Sequence, residues 1–533
     1  MAPDPSAPPQ VARSAASAGA ATMTSRVLGV VREQVLASLF GASDAMDAYN
    51  VAYRVPNLLR DLFAEGAMSA AFVPTFTREL ATRGKPAAFQ LGAQVVTALL
   101  LLTGVLVAAG WVFAEPLVSL FAEGYGDVPG KLDLTVQLTR VMLPFLTFVA
   151  LAAVFMGMLN SLHHFFVPAL SPAMFNVVTI LCAIVLVPLM PGLGQPAIAA
   201  IAIGTVFGGL AQWLVQWPLL RREGFRFTPQ LDWNDPALRR VLVLIGPGTL
   251  GLAATQVNVF VNTLLATGEG TGAVSWLNYA FRLMYLPIGL FGVSIATATT
   301  PAIARQAANA EGGAVRRTIA DGLILMLMLN VPATVGLAVL AAPIVQLMYE
   351  RGAFTPRETL ATAAALQYYA IGLLGYSVVR IASPAFYALD RNRTPVVVSI
   401  ITVAANAVLN VILVRTMGYT GLALGTSIAA LINAGLLLVL LRRHLEGIEE
   451  ARIVDSLGRI AIASIAMGLA AVWLYGEMLD LLPGNALLPQ IVRLGVAIGG
   501  AMGVLAFSAY VLSIKEFQQG VDLVLRRFRR RAR

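Results

Sequence analysis

Long apolar runs recur along the whole chain, and they limit the folds that it can adopt. They cover residues 91–114, 168–190, 396–414, 461–475 and 491–512. Each run can cross about 30 Å of hydrocarbon as a helix of about 20 residues. A closed β-barrel is the other way to span a bilayer, but its strands show short alternating segments instead of continuous runs. The sequence therefore predicts an all-α integral membrane protein.

The charge and cysteine contents agree with this class. Charged residues make up 12% of the chain and hydrophobic residues 58%, whereas a soluble domain has roughly 25% charged residues. The single cysteine, Cys182, excludes an intramolecular disulfide. The net charge of +9 does not require a nucleic-acid partner, because cytoplasmic basic loops and a basic tail explain it.

About fourteen candidate spans follow one another at helix-length spacing. Their predicted bounds are 16–40, 46–82, 88–114, 134–160, 166–190, 196–221, 238–266, 273–305, 317–342, 359–389, 395–415, 419–442, 457–478 and 488–513. Arginines and lysines are concentrated in alternate loops, which places those loops in the cytoplasm. Both chain termini are then predicted to be cytoplasmic.

The two ends of the chain have their own character. Residues 1–15 are rich in proline and alanine and are expected to be disordered, without the features of a cleaved signal peptide. Residues 515–533 combine an apolar stripe with a run of arginines. This pattern predicts a basic amphipathic helix that lies on anionic membrane lipids.

The two halves of the chain resemble each other. The stretch NVAYR at 50–54 matches NYAFR at 278–282, which begins 228 residues later, and PLVSLF at 116–121 matches PIVQLM at 343–348. One repeat covers six spans, an even number, so both copies insert with the same polarity. We therefore predict two pseudo-symmetric six-helix lobes and two additional C-terminal helices, with substrate bound between the halves. The predicted segments are 16–222, 238–443 and 457–513.

Ionisable residues inside predicted spans are concentrated at the start of each half. They are Arg26, Arg32, Glu33, Asp47, Arg54, Arg60, Asp61, Glu65 and Arg282. Each costs roughly 3 kcal/mol unless it faces a cavity or a partner. This predicts a polar cavity lined by spans 1, 2, 7 and 8, although snorkelling or structural pairing is the alternative. Arginine forks pair well with phosphate oxygens, so the cavity favours a phosphorylated or pyrophosphorylated substrate over a cationic drug.

Three prolines fall inside the same spans. Pro56, Pro247 and Pro287 should break or kink their helices. Broken helices expose backbone groups, which a membrane tolerates around a protein-lined cavity. We therefore interpret the three positions as candidate hinges.

At these residues the sequence resembles a known family. The stretch 23–74, from MTSRVLGVVRE to AFVP, resembles the N-terminal signature of the MurJ/MviN family, the bacterial lipid II flippases of the MOP transporter superfamily. Residues 275–301 and the YERGAF segment at 349–354 are further matches. The resemblance implies a fourteen-span fold with a V-shaped central cavity, a groove for the lipid tail at spans 13 and 14, and alternating access. It implies a monomeric transporter of the bacterial cytoplasmic membrane, not an enzyme, which moves the disaccharide-pentapeptide pyrophosphate headgroup to the periplasm.

The resemblance also suggests roles for individual residues. By motif position, Arg32, Arg60 and Arg282 would hold the pyrophosphate, Arg26 and Asp47 match further family positions, and Glu33 and Arg54 complete the expected site. Phe281 and Tyr285 stand where many relatives have acids. Some relatives have a sodium site that uses acids on spans 7 and 11, where this chain has Asn258, Asn262, Asn406 and Asn410 and no acid. No cofactor is expected, and coupling to Na⁺, to H⁺ or to the membrane potential stays open.

Besides a lipid II flippase, the sequence leaves two transporters of other cargo and one enzyme class to consider. An exporter of another lipid-linked oligosaccharide, of the O-antigen type, is separated from it by the 23–74 signature alone. A MATE-like drug exporter should have acids instead of arginines in its cavity. An enzyme acting on polyprenyl phosphates would need clustered aspartates for magnesium, and no DDxxD-like run occurs in the sequence.

Overall fold

The computed structural model describes residues 9–61, 71–289, 293–309, 311–514 and 517–518, and in these residues it contains helices and loops but no strand. The helices of the first half are α1 (Pro9–Phe40), α2 (Asp44–Arg60), α3 (Val73–Val112), α4 (Ala114–Phe121), α5 (Lys131–Met142), α6 (Phe145–Ser161), α7 (Phe166–Leu186), α8 (Ala199–Leu214) and α9 (Trp217–Arg222). The remaining helices are α10 (Pro236–Thr267), α11 (Ala273–Pro287), α12 (Val293–Ala308), α13 (Gly312–Val339), α14 (Ala341–Tyr349), α15 (Pro356–Ala388), α16 (Arg393–Met417), α17 (Tyr419–Leu445), α18 (Glu450–Leu481) and α19 (Leu487–Val511). The predicted all-α class is confirmed.

Ten helical segments within the described residues are long and apolar enough to cross a membrane. They coincide with ten of the predicted spans. The other four predicted spans, 16–40, 46–82, 238–266 and 273–305, are not among them. These are the spans in which the sequence places the buried charges and the prolines, and the total of fourteen stays a prediction.

Several predicted spans prove to be pairs of helices. Between the predicted spans 46–82 and 88–114, the structure instead has one long helix, α3, with a kink at Gly84. The φ of Gly84 is +80°, which a residue with a side chain adopts only with strain. The span predicted at 134–160 is α5 followed by α6, with Pro144 at the junction. The span predicted at 46–82 contains α2 and the start of α3. Helix α1 begins at Pro9, within the segment predicted to be disordered; proline at a first helical position suits such a start.

Helix starts follow from local capping chemistry. Ser43 caps α2 by accepting a hydrogen bond from the Met46 N–H at 3.4 Å. Asp235 caps α10 in the same way through the Ala237 N–H at 2.8 Å, and Pro236 occupies the first helical position. Thr355 and Glu358 form a capping box at the start of α15. Each cap satisfies backbone donors that a helix start leaves without a partner.

The repeat that the sequence predicts is visible in the order of the helices. The long helix α3 breaks at Gly84, and its counterpart in the second half is interrupted between Ala308 and Gly312. The short helices α4 and α14, which the sequence analysis had not predicted, occupy equivalent positions. Helices α4 and α14 contain the matched stretches 116–121 and 343–348, whereas the two interruptions lie outside the matched motifs.

The chain divides into two compact units, one formed by residues 1–275 and 351–354, the other by 276–350 and 355–533. The predicted lobes divide instead between 222 and 238, so α10 belongs to the second repeat by sequence and to the first unit by packing. The reason is that α10 packs against α3, α4 and the turn at Glu123–Asp127.

The two units have cores of different composition. One hydrophobic core of the first unit is rich in aromatic side chains, including Phe72, Phe76 and Phe155. A core of the second unit is mainly aliphatic, with Ile319, Leu323 and Leu441 fully or almost fully buried. Helices α18 and α19 pack against each other, and α18 packs against α13 of the second unit.

Candidate substrate-binding site

The first predicted arginine, Arg32, lies on α1 beside an acid. Its Nη2 is 2.6 Å from Glu33 Oε1, and its guanidinium carbon lies 5.1 Å from the centre of the Phe175 ring on α7. The Arg32 side chain is 16% exposed. Burial of an arginine to this degree requires compensation, and here an acid and an aromatic face supply it.

The second predicted arginine, Arg60, is the last residue of α2 and has the same kind of neighbour. Arg60 Nη2 is 2.8 Å from Asp61 Oδ1. The other oxygen of Asp61 accepts hydrogen bonds from Asn57 at 3.3 Å and from Gln256 of α10 at 3.2 Å. The predicted spans 2 and 7 therefore do supply polar groups to one cluster within the first unit.

The two pairs share a chemical feature. Each guanidinium uses its Nε and Nη2 atoms on one carboxylate oxygen of the residue that follows it. A guanidinium has five N–H donors in a planar fork and can bind more than one oxygen at a time. Adjacent residues of a helix do not face each other directly, so such a pair forms only when both side chains bend. An anion with several oxygens could compete with the acid for the arginine.

Arg26 and Arg54, the other two arginines of the first unit that were predicted to bind substrate, are placed differently. Arg26 is exposed on α1. Arg54 is half-buried on α2, two residues before Pro56. Their predicted role in substrate binding stays a prediction.

Asp47 lies at the other end of α2, in a cluster of its own. It is completely buried, and its carboxylate accepts hydrogen bonds from the Gly272 N–H at 2.7 Å, the Ser275 N–H at 3.0 Å and the Ser275 hydroxyl at 2.7 Å. Lys131 Nζ approaches Asp47 at 3.0 Å and Asp44 at 2.7 Å. We call this set, Asp44, Asp47, Lys131, Gly272 and Ser275, the aspartate cluster.

The aspartate cluster satisfies a buried charge from several sides. Lys131 also lies 4.2 Å from the centre of the Tyr125 ring. The N–H groups of Gly272 and Ser275 belong to the start of α11, where a helix leaves donors without a partner and favours negative charge. Asp47 and Arg60 are thirteen residues apart on α2, which is roughly 20 Å along a helix. Asp47 is therefore separated along α2 from the Arg60–Asp61 pair, with which the sequence analysis grouped it.

Arg282 belongs to the second unit, where it lies exposed on α11. Its neighbours in sequence are aromatic: the ring of Phe281 stacks on Tyr285 at 5.8 Å and contacts Tyr369 at 5.4 Å. The Tyr285 hydroxyl accepts a hydrogen bond of 2.6 Å from Arg380 of α15. Tyr285, where the family resemblance implies an acid, is thus a phenol bound to a second arginine.

Sequence reasoning missed Arg380 and the importance of Lys131. The signal for Arg380 was present, since it is an ionisable residue in the middle of the apolar helix α15. Lys131 gave no such signal, because it stands in a loop-rich stretch and only the fold brings it to Asp47.

The asparagines predicted as possible ion ligands form two separate pairs. On α10, Asn262 donates to Asn258 at 2.9 Å, within the first unit. On α16, Asn410 donates to Asn406 at 3.0 Å, within the second unit. In the part of the chain that the structure describes, no group of three or more His, Cys, Asp or Glu side chains could hold a metal ion.

The prolines predicted as hinges are found at or inside helices. Pro56 lies within α2, which ends four residues later and gives way to a π-helical turn at Asp61. Pro287 is the last residue of α11, and a π-helical turn follows at 288–289. The backbone of α10 is helical through position 247. The helix is thus continuous through Pro56 in the described residues, and the role of the three prolines as hinges stays a prediction.

Comparison with known proteins places the chain in a family. The family described as lipid II flippase MurJ matches residues 36–489. The chain belongs to this family. A probable lipid II flippase MurJ of Vibrio cholerae is 36% identical over 463 residues, which cover 85% of this chain and 87% of the relative. A probable lipid II flippase MurJ of Rickettsia prowazekii is 30% identical over 496 residues, which cover 93% and 96%.

Solved structures of lipid II flippase MurJ and of MATE transporters share the fold. A lipid II flippase MurJ in an inward closed conformation gives a TM-score of 0.76 at 26% identity and covers 93% of this chain and 99% of that one. An inward-facing MATE multidrug transporter of the MOP superfamily gives 0.66 at 17% identity, covering 82% and 99%. The second likeness concerns the fold alone. Membership of the family confirms the predicted class: a multi-pass membrane transporter, not an enzyme.

Proposed function

We propose that this chain flips lipid II, the undecaprenyl-pyrophosphate-linked peptidoglycan precursor, from the cytoplasmic to the periplasmic leaflet by alternating access. The observation that carries the proposal is membership of the lipid II flippase family over residues 36–489. The arginine pairs agree with a pyrophosphate headgroup. A cationic drug would instead be repelled by Arg32, Arg60 and Arg282.

Arg32 and Arg60 bind the headgroup by exchanging partners. Without substrate, Glu33 and Asp61 neutralise them at 2.6 and 2.8 Å. The pyrophosphate displaces these acids, because it offers more oxygens to each planar fork. Arg282 contributes from the second unit, and Arg380, held by Tyr285, is an additional cation beside it. The acids then rebind their arginines and release the headgroup on the other side.

Helices α18 and α19 accommodate the lipid tail. Both carry large exposed apolar side chains, among them Leu469 at 69%, Trp473 at 63% and Phe507 at 70% exposure. The tail residues 515–533 bind anionic lipids, and the chain acts as a monomer with both termini in the cytoplasm. No cofactor takes part. The driving force is the membrane potential, worth about 2.3 kcal/mol per charge per 100 mV, or a Na⁺ or H⁺ gradient.

Complementation tests this function. A bacterium depleted of its own lipid II flippase should be rescued by the wild-type chain and by Arg357→Ala, an exposed arginine at the start of α15. It should not be rescued by Arg282→Ala. Rescue by all three would keep the function and reject the arginine site. Failure of the wild-type chain, despite confirmed membrane insertion, would reject lipid II as its cargo.

A further inference from the structure

Two glycines, in the loops that follow the equivalent helices α4 and α14 of the repeat, make unusually close backbone contacts. Gly124 follows α4, Gly352 follows α14, and they lie 228 residues apart. A Cβ added to Gly124 would lie 2.6 Å from the carbonyl oxygen of Thr267 and 2.8 Å from the Cα of Gly268. A Cβ added to Gly352 would overlap the carbonyl oxygen of Ser38. Neither position has room for a side chain.

The partners of the two glycines are also equivalent to each other. Ser38 is in the last turn of α1 and Thr267 is the last residue of α10, and these are the first helices of the two repeats. The loop with Gly124 belongs to the first repeat and contacts α10 of the second. The loop with Gly352 belongs to the second repeat and contacts α1 of the first. The contacts are thus reciprocal, and all four residues lie in the first unit.

Each contact involves the carbonyl end of a helix. The last carbonyl groups of a helix have no partner inside it. The Ala353 N–H donates to Ser38 O at 2.8 Å and so supplies such a partner to α1. Gly352 has a φ of +58°, which directs the loop back towards α1. At the other contact, Phe121 of α4 also packs edge-to-face on Phe260 of α10 at 4.7 Å.

We propose that these two glycine contacts are paired latches, which close the same end of the transporter and must separate in each transport cycle. The inference rests on the proposed function, because alternating access requires one repeat to move against the other. A loop of one repeat that holds the first helix of the other opposes this motion. Backbone contacts of this kind bury no long side chain, so they can break and re-form without reordering one.

Reversible cross-linking tests whether a latch must open. In a Cys182→Ser chain, the pair Ser38→Cys and Ala353→Cys is joined by a short bifunctional thiosulfonate in proteoliposomes that contain labelled lipid II. We expect cross-linking to stop transport and a reductant to restore it. The control pair is Thr77→Cys and Ser161→Cys, whose hydroxyls are 3.0 Å apart within the first repeat. Its cross-linking should leave transport unchanged.

Different results would contradict the latch and the proposed transport function. Transport at an unchanged rate through the cross-linked Ser38–Ala353 pair would overturn the latch. Absence of transport by the Cys182→Ser chain without any pair, when that chain is folded and inserted, would count against the proposed function instead. The latch is then still tested by the cross-linking yield, which needs no transport.

Alanine variants provide that second measurement. Gly352→Ala should lower the yield of the Ser38–Ala353 cross-link several-fold, because a Cβ there meets the Ser38 carbonyl. Gly126→Ala is the matched control in the other loop, since its Cβ would find no atom within 4 Å. Equal yields for the two variants, in protein of equal thermal stability, would show that Gly352 does not hold the contact and would overturn the proposal.

Discussion

The first turns of α2 and α11 are equivalent in the repeat, yet they use opposite chemistry. Asp47 on α2 and Ser275 on α11 lie 228 residues apart, and they are hydrogen-bonded to each other through both the Ser275 N–H and its hydroxyl. Two acids at these positions would repel each other in a buried site. An acid facing a hydroxyl and two helix N–H groups is stable. An acid can therefore occupy only one of these two equivalent positions, and the repeat is asymmetric at this contact.

The glycine contacts show the complementary case. Gly124 and Gly352 have kept the same residue type, because each meets a backbone carbonyl and not its own equivalent. The repeat thus has the same residue type at its two backbone contacts and different residue types at the buried acid.

The largest effect should come from removing the cation of the aspartate cluster. Lys131→Met leaves Asp47 completely buried without its ion pair, and we expect a loss of about 3–5 kcal/mol in the free energy of unfolding. Thermal unfolding in detergent measures it. Lys85→Met is the matched control, since Lys85 pairs with Glu223 at 2.8 Å while 52% exposed, and it should cost less than about 1 kcal/mol. Similar losses of unfolding free energy for both variants would mean that the Lys131–Asp47 ion pair contributes no more to stability than an exposed one.

Making the two equivalent positions alike should have the next largest effect. Ser275→Asp places two carboxylates together and removes a donor from Asp47, so we expect a loss of at least about 1–3 kcal/mol. Exchanging the residues, with Asp47→Ser added, should recover part of this stability. A double variant no more stable than Ser275→Asp alone would show that the position of the acid, and not only the pairing of unlike residues, is required.

A smaller effect on stability is expected from Asn50, which is hydrogen-bonded to Ser275. Asn50 donates to the Ser275 hydroxyl at 3.1 Å and is buried. Asn50→Ala should cost about 1 kcal/mol, the usual net value of one hydrogen bond. In the Ser275→Ala background the same change should cost measurably less. Full additivity of the two changes would argue that Asn50 acts elsewhere.

The smallest effect on stability is expected at Glu223, which directly follows α9. Hydrogen bonds from Lys85 and His164 hold the pKa of the Glu223 carboxyl below its usual value. Its contribution to stability is therefore present above the unfolded pKa of about 4.3 and is lost as the pH falls through the lower folded pKa. Thermal unfolding of wild type and Glu223→Gln should differ slightly at neutral pH and converge in acid. A difference that persists in acid would assign the effect to packing.

The sequence identifies many residues of the candidate site, but it does not show which of them lie together. Arg32, Arg60 and Arg282 stand out because charge is rare in a membrane span, and the structure gives the first two an adjacent acid. The sequence analysis placed Asp47 and Asp61 together among the ionisable residues of the predicted polar cavity. It could not show that Asp47 caps α11 while Asp61 binds Gln256, since those partners come from distant parts of the chain.

The sequence by itself determined the class of this protein, its repeat and its family, because hydrophobic length, internal similarity and motif spacing are local properties of a chain. The tertiary structure alone decided that Lys131 reaches Asp47, that Arg380 binds Tyr285 and that Gly352 lies against Ser38. These contacts join residues far apart in the chain, and packing, not pattern, selects which of them meet.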